Sequence, residues 1–174
     1  IDEQWYNERA RSRGAAVHKA THLIDTVGLN WATLHRDLHG YVKSWELYKK
    51  ETGCEIVAVE QIVYHKGVML AGMLDRVLRF PSSKVLRLKD IKTTASTSGK
   101  APFWTAYQTA AYEESYRKLY GGDSMERGAI VLRPDGSYPG DETYSSVSDW
   151  SDFLSLLEST RIRRRHKKNG IPNE

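Results

Sequence analysis

An acidic and a basic residue, Asp90 and Lys92, stand two positions apart at the end of the apolar-alternating segment VLRLKDIKTT. Side chains two apart on a strand point to the same face of a sheet, so both charges extend the row of Leu86 and Leu88. A carboxylate and an ammonium there could hold a cation and polarise a bound group. On an exposed strand end, the same two residues would form only a weak surface ion pair.

Two more carboxylates interrupt the apolar segments that precede this one. Glu60 lies in CEIVAVEQIVYH, and Asp75 lies in AGMLDRVLRF, three residues after Gly72. A buried carboxylate is costly unless it is paired or bound to a metal, and neighbouring strands lie about 4.8 Å apart. We therefore expect Asp75 and Asp90 to converge. Such oxygen ligands suit Mg²⁺ or Mn²⁺, which polarise phosphoryl oxygens and activate bound water.

The elements that would position these residues follow the order α–α–βββ–α–β–α. The segment EQWYNERARSRGAAVHKATHLIDTVGL is expected to form a helix, as is NWATLHRDLHGYVKSWELYKKETG, with Asn30 as N-cap and Gly53 at its end. HKG and PSS then divide an apolar stretch into three strands of a meander. FWTAYQTAAYEESYRKLYGG is an amphipathic helix and ERGAIVLRPDG a strand with a turn. The last helix, SVSDWSDFLSLLESTRIRRRHKKN, starts at Ser146 or Ser148.

This order predicts an α/β (α+β) fold in which helices flank a central mixed sheet. The 174 residues suit one domain. We expect a helical part over 1–52, a sheet and catalytic core over 53–134, and a C-terminal helix over 146–168.

Composition excludes several classes of protein. The one cysteine, Cys54, cannot form an internal disulfide or a four-cysteine zinc or iron–sulfur site, and it favours a reducing, intracellular compartment. The cytoplasm, a phage-infected host cell or an organelle matrix would all fit. The sequence contains no run of about 18 apolar residues that would predict a membrane span, so we expect no membrane partner. The net charge of +4 favours anionic partners only mildly.

Four short motifs, GAAVHKAT, AGMLDRV, LKDIKTT and YQTAAY, occur in that order and resemble the RecB-like branch of the PD-(D/E)XK nuclease superfamily. That branch shows G-x-x-x-H on a helix, G-x-x-D and (D/E)-x-K on strands, and Q-x-x-x-Y on a helix. The resemblance spans about residues 13–116 and implies a restriction-endonuclease-like αβββαβ core. Leu74 replaces the family's proline and Asp90 its usual glutamate, which are modest departures. The residues that match the motifs are Gly14, His18, Gly72, Asp75, Asp90, Lys92, Gln108 and Tyr112.

The resemblance implies a metal-dependent DNA nuclease, an exonuclease that hydrolyses phosphodiester bonds in recombination, repair or replication. It is nearer to stand-alone phage recombination and mitochondrial genome maintenance exonucleases than to members with iron–sulfur clusters. The implied catalytic residues are Asp75, Asp90, Lys92, Gln108 and Tyr112. The implied ligands of Mg²⁺ or Mn²⁺ are His18, Asp75, Asp90, the carbonyl of Ile91 and, as a further candidate, Glu60. An imidazole ligand favours Mn²⁺ over Mg²⁺.

Candidate DNA contacts surround this set: Arg13, Lys100, Trp104 and Tyr112. Arg13 would contact a phosphate, and Trp104 could stack on an unpaired base. The basic tail Arg161–Lys168 could also bind nucleic acid. The candidate residues also have ordinary structural interpretations. Trp104 and Tyr112 would be core aromatic residues, and His18 a hydrogen-bonded histidine. Glu60 would form an ion pair at a strand edge, and the tail would be a solvated helix end. The other five histidines are interpreted as ordinary polar residues.

Other functions remain compatible with the sequence. One is a structure-specific or restriction-type endonuclease of the same fold, and another is an inactive nucleic-acid-binding or assembly module. A third is an unrelated basic α/β domain. The partner expected is DNA, with ends favoured, and a recombination protein or an oligomeric assembly is compatible with this. Cleavage polarity, strand preference and the choice between DNA and RNA stay open.

Overall fold

The computed structural model describes the backbone of residues 3–168 and the side chains of residues 8–166. In that part of the chain, four α-helices and five β-strands are present, joined in places by short 3₁₀ turns. They are α1 (Glu3–Thr26), α2 (His39–Thr52), β1 (Glu55–His65), β2 (Leu70–Arg79), β3 (Arg87–Thr93), α3 (Thr105–Tyr120), β4 (Glu126–Leu132), β5 (Gly140–Tyr144) and α4 (Asp149–Lys168). None of these helices is both long enough and apolar enough to cross a membrane.

The strands form one mixed sheet in the order β1-β2-β3-β4-β5. The meander β1-β2-β3 is antiparallel, β3 and β4 are parallel, and β5 is antiparallel to β4. A parallel pair needs a long crossover, and α3 provides it. The predicted α+β class and its αβββαβ core are confirmed.

Helices cover both faces of the sheet. On one face, α1 and α2 pack against alternate residues of β2, β3 and β4; on the other, α3 covers a second apolar cluster, and α4 packs against α3. The first cluster includes Val17, Trp45, Tyr48, Leu78, Ile91 and Ile130. The second includes Val63, Leu74, Val77, Leu88 and Met125, with Tyr112 beside it. The strand β3 therefore lies at the centre of the molecule.

The fifth strand was not predicted. Between residues 134 and 146 the sequence suggested only a turn, because GDETY lacks an apolar alternation. Its pairing with β4 and polar contacts to two buried side chains hold it in the sheet: Asp141 binds Lys89 Nζ at 2.5 Å and the Tyr48 hydroxyl at 2.9 Å. Strand formation there depends on residues about 50 to 90 positions away, which local patterns cannot report.

The start of the second helix was also predicted wrongly. Residues 31–38 form two 3₁₀ turns, and α2 begins only at His39. The Asn30 side chain accepts from Ala32 N–H at 3.1 Å, so it caps a 3₁₀ turn rather than an α-helix. Gly53 ends α2 as expected, with φ of 61° in the left-handed region that glycine tolerates. The last helix begins at Asp149, just after the two serines predicted to start it.

Candidate active site

The side chain of Asp75 takes the place of a strand partner within the sheet. Pairing of β2 with β3 runs from Leu78 to Arg76 on β2, whereas β3 continues beside β4 as far as Thr93. Next to the last pair, Asp75 Oδ2 accepts the backbone N–H of Ile91 at 2.6 Å. Asp75 is 8% exposed, so this bond satisfies a carboxylate that is almost fully buried.

His18, on α1, binds the same two residues from above the sheet. Its Nε2 lies 2.9 Å from the carbonyl oxygen of Ile91, and its Nδ1 lies 3.5 Å from Asp75 Oδ1. Burial alone would lower the pKa of the imidazole, but the carboxylates of Asp75 and Asp90 and the Ile91 carbonyl outweigh it, so the pKa of His18 is raised. The ring is therefore held between a strand backbone and an acid.

Asp90 and Lys92 lie on the α3 side of β3, continuing the row of Leu88. Asp90 is 2% exposed, and its Oδ2 lies 2.6 Å from Lys92 Nζ. Burial and the neighbouring Asp75 raise the pKa of Asp90 to about 6, against the opposing effect of Lys92. The site thus brings two carboxylates close together with one ammonium, and burial makes the charged form of Asp90 costly.

A chain of contacts leads from Lys92 to α3. Lys92 Nζ donates to Gln108 Oε1 at 3.4 Å, and Gln108 Nε2 donates to the Tyr112 hydroxyl at 3.1 Å. Gln108 and Tyr112 are four residues apart and share a helix face. The ring of Tyr112 lies against Gly72, where a Cβ would be 2.6 Å from Cε1 of the tyrosine. Burial raises the pKa of Tyr112, which keeps its hydroxyl protonated.

Glu60 lies beside this cluster and contacts a different histidine. The pairs Val59↔Arg76 and Gln61↔Leu74 place Glu60 opposite Asp75, and its backbone has φ of 45°, a left-handed conformation unusual for glutamate. Its Oε2 lies 3.0 Å from His22 Nδ1. The sequence interpretation missed His22, although its position one helical turn after His18 is visible in the sequence.

Buried ion pairs fix α1 over β2 beside the site. Asp25 Oδ2 accepts from Arg76 Nε at 2.8 Å, and both side chains are fully buried. Arg76 also donates to the carbonyl of Asp75 at 2.8 Å and to Thr21 Oγ1 at 3.2 Å. Because Arg76 joins α1 to the backbone of Asp75, it sets the position of His18 relative to that acid. The sequence interpretation missed this network.

The donor set fits a divalent cation chemically, although its members are paired with one another as they stand. Over residues 8–166, no three His, Cys, Asp or Glu side chains gather closely enough to hold a metal ion. Asp75, Asp90 and the Ile91 carbonyl offer oxygens, and His18 a nitrogen, the ligands that Mg²⁺ or Mn²⁺ uses. Burial and the neighbouring Asp75 raise the pKa of Asp90 even with Lys92 and His18 nearby, so a bound cation would favour the charged form of Asp90.

Of the four predicted DNA contacts, Tyr112 belongs to this cluster, and the other three lie outside it. The Arg13 guanidinium lies 5.8 Å from the centre of the Tyr41 ring, Lys100 is exposed, and Trp104 is 55% exposed just before α3. In the basic tail, Arg161 donates to the carbonyls of Val68 and Met69, so it joins α4 to the β1–β2 connection. The side chains of residues 167 and 168 lie outside the described residues.

Comparison with known proteins supports the fold. No family model matches the sequence, and no curated protein does. A crystal structure from Eubacterium rectale, of a protein named provisionally as an exonuclease, matches this chain with a TM-score of 0.57 and 14% sequence identity. The match covers 92% of this chain and 69% of the Eubacterium rectale chain. The structure of SSO0001 has a TM-score of 0.43 and 16% identity, covering 70% and 56%. The first likeness shows a shared fold, in agreement with the restriction-endonuclease-like core.

Proposed function

We propose that this protein is a metal-dependent DNA nuclease of the RecB-like PD-(D/E)XK type that acts as an exonuclease. One observation carries the proposal: Asp75, Asp90 and Lys92, from two strands, form one cluster with His18 from α1 and Gln108 from α3. The shared fold with a protein named provisionally as an exonuclease supports the same class. The biological setting would be DNA recombination, repair or replication.

Asp75, Asp90, His18 and the Ile91 carbonyl would hold Mg²⁺ or Mn²⁺. When bound, such an ion supplies Lewis-acid polarisation of a phosphoryl oxygen and a lowered pKa for its water. Glu60, opposite Asp75 and paired with His22, would contribute a further carboxylate beside this set. The chain itself contributes two nearly buried acids, Asp75 and Asp90, around which electrostatic interactions are stronger than in bulk water.

Lys92 would act on the nucleophile. The Lys92 side chain is 25% exposed, and its Nζ lies 2.6 Å from Asp90 Oδ2. It can therefore contact both the acid and an incoming phosphodiester. There the ammonium would hold the attacking water by hydrogen bonding and stabilise negative charge on the phosphoryl oxygens. Gln108 restricts the lysine through its 3.4 Å contact, and Tyr112 fixes the amide of Gln108 in turn.

Side chains around the cluster would bind the DNA strand. Arg13, stacked on Tyr41, and the exposed Lys100 would contact phosphates, and Trp104 would contact a base. The hydroxyl of Tyr112 would position the strand near the scissile bond. Electrostatic contacts of this kind weaken as salt concentration rises.

A digestion series tests the proposal. End-labelled single-stranded, duplex and covalently closed circular DNA would be incubated with the purified chain, with Mn²⁺, with Mg²⁺ and with EDTA. Linear DNA should be degraded only with metal, and the closed circle should be spared. Lys92→Ala should abolish degradation in a chain that still unfolds cooperatively, with a lower unfolding temperature because Asp90 loses its ion-pair partner. Cleavage of the circle would indicate an endonuclease, and intact DNA in every tube with Mn²⁺ would contradict the proposal.

The alternative is an inactive module of the same fold that binds nucleic acid. It is favoured by one observation, that the candidate ligands among residues 8–166 pair with one another instead of surrounding a common point. Calorimetric titration with Mn²⁺ separates the two. A nuclease should bind the ion at a specific site that Asp90→Asn removes, whereas an inactive module should show no specific heat of binding.

A further inference from the structure

Two exposed aromatic rings stand side by side at the start of α3. Phe103 is 73% exposed and Trp104 is 55% exposed, and their rings meet edge to face with centroids 5.2 Å apart. Phe103 also meets Tyr107 edge to face at 6.2 Å. We call these three residues the aromatic shelf. Single exposed apolar residues are common, but a mutually packed aromatic group that faces solvent is a typical feature of binding surfaces.

The shelf is continuous with the candidate active site. Trp104, Gln108 and Tyr112 are spaced four residues apart, so they follow one face of α3. The backbone N–H of Gln108 donates to the carbonyl of Trp104 at 3.0 Å, and the side chain of Gln108 reaches Lys92. One helical turn, about 5.4 Å, therefore separates the shelf from a residue that touches the catalytic lysine.

The loop that carries the shelf is fixed in place. The N–H of Ala101 donates to Glu142 Oε1 at 2.9 Å, and Arg133 donates to the carbonyl of Gly99 at 2.6 Å. Both partners lie at or near the β4–β5 edge of the sheet. Because these contacts already order the loop, a ligand would not have to meet that cost on binding. Lys100, exposed in the same loop, adds a positive charge suited to a phosphate backbone.

We infer that the aromatic shelf binds unpaired nucleobases, so that the substrate class is single-stranded nucleic acid or a frayed duplex end. This inference rests on the proposed function, because it places the shelf beside the scissile phosphate. Inside a duplex both faces of each base are already stacked, whereas an unpaired base has a free face for Phe103 or Trp104. Aromatic stacking of this kind tolerates any base sequence.

Binding can be measured without cleavage. The anisotropy of a fluorescein-labelled oligothymidylate would be followed in EDTA and compared with a strand of equal length built from abasic units. The two carry the same backbone charge and differ only in their bases. The wild-type chain should bind the thymidylate strand more tightly, and Trp104→Ala should weaken that binding by about 5- to 150-fold while leaving the abasic strand unaffected.

A matched control exists on the same helix. Tyr120 is also 55% exposed but lies at the opposite end of α3, so Tyr120→Ala should leave both affinities unchanged. Trp104→Tyr should retain most of the base-dependent binding. If Trp104→Ala lowers the unfolding temperature, Phe103→Ala provides a second variant at a more exposed position.

The outcomes separate this inference from the proposed function. Equal wild-type affinity for thymidylate and abasic strands would overturn the inference, as would an equal loss on both strands in Trp104→Ala. Tighter binding of blunt duplex than of single strands would also overturn it, and would point to a partner other than bases for the shelf. Base-dependent binding without hydrolysis in Mn²⁺ would support the shelf and contradict the proposed nuclease activity.

Discussion

The Asp75 carboxylate is bonded to the backbone N–H of Ile91 across 2.6 Å, in the position that a main-chain carbonyl would occupy if β2 and β3 continued to pair. The other backbone polar group of Ile91, its carbonyl, lies 2.9 Å from His18 Nε2. The sheet therefore opens next to Asp75 without leaving either group of Ile91 unsatisfied. This opening is what gives the candidate active site access to a strand backbone as well as to side chains.

The bond between Asp75 and Ile91 predicts different effects for two substitutions. Asp75→Ala leaves a buried N–H without its acceptor and should lower the free energy of unfolding by about 1–3 kcal/mol. Asp75→Asn keeps an acceptor oxygen in place and should cost less, while cleavage is lost in both variants. Urea unfolding in EDTA, paired with the digestion assay, checks this. Equal stability of the two variants would mean that the hydrogen bond from Ile91 N–H to Asp75 does not contribute to the stability of the fold.

Asp90 predicts a pH dependence of stability. In the unfolded chain its pKa is near 3.8, and in the fold, burial and Asp75 raise that pKa to about 6. Between these values the folded chain holds a proton that the unfolded chain has released, so raising the pH destabilises the fold until the loss is complete above about 6. Asp90→Asn removes this loss, on the order of 2–3 kcal/mol at pH 7.

Urea unfolding of metal-free protein at pH values from 4 to 7 provides the measurement. Wild type and Asp90→Asn should be similar near pH 4 and diverge towards pH 7, with the variant more stable. Asp37→Asn, at an exposed carboxylate, is the control and should follow the wild-type profile. Parallel profiles for wild type and Asp90→Asn would refute the raised pKa of Asp90 in the fold.

The two motif glycines should respond differently to alanine. At Gly72 the new Cβ would lie 2.6 Å from the ring of Tyr112, so Gly72→Ala must displace a side chain in contact with Gln108. It should lower the free energy of unfolding by about 1–3 kcal/mol and abolish cleavage. At Gly14 the nearest atom, Thr93 Oγ1, would be 3.8 Å away. Gly14→Ala lies within α1 and should stabilise by up to about 1 kcal/mol.

Thermal unfolding and digestion of both glycine variants check this contrast. The double variant Gly72→Ala with Tyr112→Ala should lose less stability than the sum of its single changes, because the clash needs both side chains. Strict additivity would show that Tyr112 is not what makes alanine unfavourable at position 72.

The buried pair of Asp25 and Arg76 predicts a large structural effect. Asp25→Ala leaves the fully buried guanidinium without its acid, which should cost about 3–5 kcal/mol. The exposed pair of Glu55 and Arg79 is the control, and Glu55→Ala should change stability by under about 1 kcal/mol. Guanidinium-induced unfolding of the two variants measures both. A small effect at Asp25 would mean that water or another residue compensates Arg76.

Local patterns were sufficient for the elements that carry the candidate site. Alternation along β3 correctly placed Asp90 on the row of Leu88, and helical spacing placed Gln108 and Tyr112 on one face. Patterns failed where stability comes from distant partners. The strand β5 is held by β4 and Lys89, and the pairs of Asp25 with Arg76 and Glu60 with His22 join residues 51 and 38 positions apart.

The sequence by itself determined which strand or helix carries each residue of the candidate site, because periodicity and chain order are local properties. Only the tertiary structure decided that β2 stops pairing beside Asp75 and that its carboxylate meets Ile91, 16 residues away. The same holds for His18, which reaches the Ile91 carbonyl across 73 residues. These contacts depend on where strands diverge and how α1 lies over the sheet, and packing between distant segments sets both.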